Sequence, residues 1–208
     1  MNDSIHQVLA PWANFYLITG SAAAALTGLQ FIVQTLIASA ANRAMSNDDP
    51  EGATAAFGTP TVVHLSAALV LSALMCAPWS SYGNLRVVLG VLGSAAVVYS
   101  LIVLRRARRQ QGYVPTAYDW TFHVALPTAA YASVVLVSAY LERVEFIALE
   151  AMAATTLVLL CLGIHNAWDT VTYLTIRAMT APSHDAAHAA PATKHPPQGS
   201  RKRRRAGR

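Results

Sequence analysis

FIALEAMAATTLVLLCLGIHNAWDTVTY, residues 146–173, decides the fold. It is 28 residues long with one carboxylate near its start and one near its end. A helix rises 1.5 Å per residue, so roughly 20 apolar residues cross ~30 Å of hydrocarbon. This stretch is long enough to span a bilayer and too apolar for a soluble helix of that length. Four more stretches of the same kind precede it: Pro11–Ala41, Thr61–Trp79, Val87–Leu104 and Thr121–Leu141. The expected fold is all-α: a polytopic transmembrane bundle of five spans over residues 1–177, followed by a tail, 178–208.

Composition agrees. The 208 residues are 54% hydrophobic and 12% charged, with a mean hydropathy of +0.38. Soluble domains carry about 25% charged residues, so there is too little polar surface here to cover a core in water. Met1–Gln7 has Asp3 and no Lys or Arg, unlike the basic start of a signal peptide, so the first stretch is expected to remain as a helix. Cys76 and Cys161 both fall within apolar stretches and read as small buried hydrophobes.

Basic residues set the orientation. Arg43, the four Arg of RRARR (105–109) and all the Lys and Arg from Arg177 onward fall on one face; only Arg86 and Arg143 fall on the other. The positive-inside rule puts the first group in the cytoplasm, the N-terminus outside and the C-terminus inside, in a cell inner membrane. Trp12, Trp79, Trp120 and Trp168 then all lie near a headgroup level, where an apolar ring with an N–H prefers to be.

Asn42–Thr59 reads as a short capped helix and a turn, with Pro60 starting the second span. The connections Ser80–Asn84 and Glu142–Glu145 are short, which makes their flanking spans antiparallel neighbours. The tail is rich in Ala, Pro and His, ends in a basic run at 201–205 and lacks the apolar residues to fold. It reads as a disordered cytoplasmic segment. Together with Arg105, Arg106, Arg108 and Arg109 it offers charge to anionic lipid headgroups. No folded reading element accompanies the basic run, so no specific nucleic acid is expected.

Intramembrane polar residues gather at one depth. His64, His123 and His165 each fall about one helical turn from the expected inner face, with Gln30, Gln34, Asp119, Asn166 and Asp169 near the same level. A polar group in lipid must face protein, water or a ligand. In the fifth span His165, Asp169 and Thr172 recur at i, i+4 and i+7 on one face. Asp169 is expected to accept from His165 Nδ1–H, which suits a ligand or proton-transfer histidine and equally a structural one. Pro127, four residues after His123, is expected to kink the fourth span. Ser21, Ala25 and Gly28, with Gly20 and Ala24, make a small-residue face for close helix packing within the bundle or in a homo-oligomer; Gly90 and Gly93 suggest another.

No nucleotide-binding loop, HExxH or GxSxG motif is present, and no reaction is indicated. Three functional classes follow. The first is a bundle whose polar layer (Gln30, Gln34, His64, His123, His165, Asn166, Asp169) binds or passes a small ligand, ion or proton. The second is a cofactor protein, with two histidines axial to a non-covalent haem or His64, His123 and His165 on a transition metal. The third is an accessory membrane subunit docking through its tail.

Three strings, ITGSAAAALTGLQFIV (18–33), FGTPTVVHLSAALVLSALMCAPW (57–79) and GIHNAWDTVTYL (163–174), resemble a family of small multi-pass bacterial inner-membrane proteins without assigned function. The resemblance covers most of Asn14–Tyr173 and not the tail. It implies a bacterial integral membrane protein and transfers no catalytic residue.

Overall fold

A computed structural model describes the backbone of residues 3–44, 50–109 and 117–180. Every described element is helical: α1 (Asp3–Leu9), a 3₁₀ turn (Ala10–Trp12), α2 (Ala13–Ala44), α3 (Pro50–Cys76), α4 (Tyr82–Arg109), α5 (Ala117–Trp120), a π-helical turn (Thr121–Ala125), α6 (Leu126–Tyr140) and α7 (Glu145–Thr180). The chain divides into two units, Met1–Thr172 and Tyr173–Arg208. In the second, helix continues to Thr180, and the expected disordered tail from 181 onward lies outside the described residues.

Four segments are long and apolar enough to cross a membrane: Ile5–Leu36, Tyr82–Arg105, Thr121–Tyr140 and Glu145–Thr172. That makes the chain a helical multi-pass membrane protein. Pro60–Cys76, the part of α3 with described side chains, is a shorter apolar helix. Large apolar side chains are exposed on several of the helices, among them Leu17, Ile18, Phe31, Val87, Val91, Phe146 and Ile147. Such a surface belongs in lipid rather than water.

The helices pair as antiparallel neighbours. α2 lies on α3, where Thr19 and Ser72 hydroxyls meet at 3.0 Å and a Cβ on Gly20 would stand 2.9 Å from Ser72 Cβ. α4 lies on α6, where Ser100 and Thr128 hydroxyls meet at 2.6 Å. There a Cβ on Gly90 would approach Ser138 Oγ to 2.8 Å and one on Gly93 would approach Val135 to 3.0 Å. Gly90 and Gly93 thus make the close contact their spacing suggested, because small residues let backbones approach where no water drives helices together. α7 is the most enclosed helix: 56% of its spanning window is buried, against 17–28% for the other three spans. It meets α6 where Thr155 donates to Ser133 at 2.9 Å, and α3 where Gly163 lies under Leu65.

Four expectations are corrected. The packed unit begins before Pro11: Ile5 and Leu9 of α1 are buried in the core. Pro60 lies inside α3, ten residues after its first residue, and not at a helix start. Trp79 falls beyond α3, its indole donating to the Leu74 carbonyl at 2.6 Å and closing the helix end. Cys76 and Cys161 are free thiols on the exposed surface, not core residues. The Ser21–Ala25–Gly28 face also points outward, with nothing within 4 Å of a Cβ on Gly28, so it packs against no other part of the unit.

Candidate functional site

Pro127 acts through the turn before it. The Leu126 N–H bonds the Thr121 carbonyl five residues back, and Pro127 opens α6. Widening the turn to i→i−5 accommodates a ring that cannot donate and would crowd the carbonyl four residues earlier. The expected kink is therefore a π-helical turn, and His123 lies within it.

The polar residues named from sequence divide into two groups. The first is internal. His64 is buried, and its Nδ1 stands 2.7 Å from the Tyr131 hydroxyl, joining α3 to α6. Asn166 is 4% exposed, on the α7 face that carries Gly163 one turn earlier. Gln30 is equally buried on α2, and Gln34 follows one turn on.

Several atoms of this group lack a partner. Gln30 Nε2, Gln34 Oε1, His123 Nδ1 and both Asn166 Nδ2 and Oδ1 are buried without a hydrogen bond. Tyr16 Oη, far along α2, is the remaining such side-chain atom among the described residues. A buried amide or hydroxyl without a partner costs on the order of 1–3 kcal/mol, so native interiors keep few of them. These orphans are amides and an imidazole. They offer donors and acceptors and no fixed charge.

The second group faces outward. His165 Nε2 is 3.2 Å from Asp169 Oδ2 and 2.7 Å from the Tyr118 hydroxyl. The expected Asp169 contact forms, but through Nε2 rather than Nδ1. The Phe122 ring lies 4.5 Å from the imidazole at 31°, and Tyr118 packs on Phe122 at 4.7 Å. The His165 and Asp169 side chains are 27% and 39% exposed, so the cluster is open at the bundle surface.

Among the described residues no three His, Cys, Asp or Glu side chains form a metal-holding group, so His64, His123 and His165 do not assemble the three-histidine site left open from sequence. Arg105 and Arg108 are exposed, and the Arg108 guanidinium lies 5.7 Å from the Trp120 ring centre. The side chains of Arg106, Arg109 and Asp119 lie outside the described residues.

Sequence reasoning missed Tyr118 and Tyr131, the partners of two of the three histidines. A signal existed for Tyr118, which lies two residues before Trp120 in an interfacial aromatic cluster. Tyr131 lies 67 residues from His64, and no local spacing connects them. No family model, no curated protein and no solved structure matches the chain.

Proposed function

We propose that this membrane protein binds or passes a small polar species through the internal group of Gln30, Gln34, His64, His123 and Asn166. The observation that carries the reading is the set of five buried, unpartnered polar atoms on Gln30, Gln34, His123 and Asn166. Their cost in a bundle interior is offset when a guest supplies the missing hydrogen bonds. Because the orphans carry no fixed charge, the reading favours a neutral solute or a proton over a bare ion. In the same proposal α3 is a fifth span, the N-terminus lies outside and the C-terminus inside a bacterial inner membrane, and Arg105 and Arg108 rest on anionic headgroups.

The test uses the full chain in liposomes. Proton uptake is followed with a trapped pH dye under a potassium-clamped potential, and urea and glycerol entry by stopped-flow swelling. Flux of one of these above empty liposomes, lost in Asn166→Leu and His123→Leu, supports the reading. Liposomes with protein that behave as empty ones in every assay count against it.

A second reading rests on a different observation. The small-residue face of Ser21, Ala24, Ala25 and Gly28 is exposed, the arrangement expected if an accessory subunit or homo-oligomer packs a partner helix there. Cross-linking in native membranes, with Gly28→Leu as the disrupting variant, tests it.

A further inference from the structure

We infer that Tyr118, His165 and Asp169 form a transition-metal site at the bundle surface, with ferric iron as its best-fitting occupant. The inference is independent of the internal polar group and uses none of its orphaned atoms.

Three donor atoms of different chemistry come together there. The phenol oxygen of Tyr118 and the carboxylate Oδ2 of Asp169 stand 2.7 and 3.2 Å from the same imidazole Nε2. Protein ligands bind such metals at about 2.0–2.2 Å, so two donors at 90–109° on one ion lie roughly 2.9–3.4 Å apart. The two separations from Nε2 lie within a few tenths of an ångström of that range.

The single imidazole nitrogen cannot serve both oxygens fully. A neutral imidazole nitrogen either carries a proton and donates, or has a lone pair and accepts. If Tyr118 donates to Nε2, the Asp169 contact holds no hydrogen bond. If Nε2–H donates to Asp169, the short Tyr118 contact has at best a share of the same proton. A cation answers to all three groups at once through their lone pairs.

Donor type selects the ion. One imidazole with two anionic oxygens is harder than a cysteine or all-histidine set and suits iron or manganese better than copper(I). Phenolate is an established iron ligand, and binding releases the phenol proton to solvent. Phenolate and carboxylate together neutralise two of the three charges of Fe(III). Phe122, stacked on the imidazole at 4.5 Å, is a positioning residue that holds the ring towards both oxygens. Partial exposure of His165 and Asp169 leaves room for water or a small anion to complete the coordination.

The test uses the full chain in mild detergent, stripped of metal and titrated with ferric nitrilotriacetate. The expected result is about one tightly held iron per chain with a visible phenolate-to-iron charge-transfer band. Tyr118→Phe keeps the packing on Phe122 and should abolish the band. Asp169→Asn and His165→Gln should weaken retention by roughly tenfold or more. Iron retained without the band, an unchanged band in Tyr118→Phe, or no iron above that held by the triple variant would each overturn the inference. Circular dichroism and a single gel-filtration peak show that each variant is folded. The tail histidines His184, His188 and His195 supply no phenolate, so the band separates their binding from this site.

Discussion

The Arg86 guanidinium closes the end of the helix that holds Ser138. Its Nε donates to the Ser138 carbonyl at 2.8 Å, its Nη2 to the Ala139 carbonyl at 3.3 Å, and its Nη1 lies 3.0 Å from Glu142 Oε2. The flanking carbonyls are already used: Val137 accepts from Leu141, and Tyr140 from Arg143 and Val144. Arg86 thus takes the two acceptors that the end of α6 leaves open, where the helix dipole also favours a cation.

Arg86→Ala should lower stability by about 1–2 kcal/mol, measured by denaturant unfolding in detergent. Glu142→Gln should cost less than about 1 kcal/mol, because that ion pair is half-exposed and screened. Equal losses from the two variants would mean that the ion pair, not the carbonyl contacts, dominates.

Gly163→Ala should destabilise by about 1–3 kcal/mol through overpacking. The new methyl would stand 2.5 Å from Leu65 Cδ2, and Leu65 is itself buried. Gly28→Ala is the control: nothing lies within 4 Å, so stability should hold or rise. Thermal melts of both variants check the contrast.

Tyr131→Phe should cost about 1–3 kcal/mol, because it strands a buried imidazole nitrogen. Adding His64→Leu to that background should cost less than His64→Leu costs alone. A double-mutant cycle measures the coupling; strictly additive losses would show that the 2.7 Å contact contributes nothing.

Asn166→Leu separates structure from function. Replacing an unpartnered buried amide by an apolar side chain should leave stability unchanged or raise it by about 1 kcal/mol, while flux disappears. A variant that is less stable and still permeable would show that the amide serves the fold.

Cys76 and Cys161 report orientation. Cys76 ends α3 beside the short connection to α4, whereas Cys161 is in mid-span on α7, and both are free and exposed. A membrane-impermeant maleimide added to intact cells should label Cys76 and spare Cys161. Labelling of Cys76 only after the cells are opened would reverse the orientation.

The spanning helices were legible because apolar length alone marks them. Rotation about each axis was not. In water, the polar face of a helix shows which side is solvent; in lipid, the outer face is as apolar as the core. Hence Val87 and Leu89, two residues apart and alike in chemistry, end up exposed and buried respectively. Which polar residues fall within the helices could be read, but how they divide between interior and surface could not. His165 and Asn166 are adjacent in sequence and turn to different surroundings, an open aromatic cluster and a closed interior. The π-helical turn adds a further obstacle, since one extra residue per turn breaks the 3.6 count from His123 into α6.

The enclosure of α7 bears on biogenesis. The most surrounded of the four spans is also the last of these four to leave the ribosome. Until it arrives, the α2–α3 and α4–α6 pairs meet through His64 and Tyr131 while the flanks that α7 covers stay open. Closure around α7 then comes late, and a nascent chain stalled before Glu145 shows quality-control proteases the flanks that α7 would have covered.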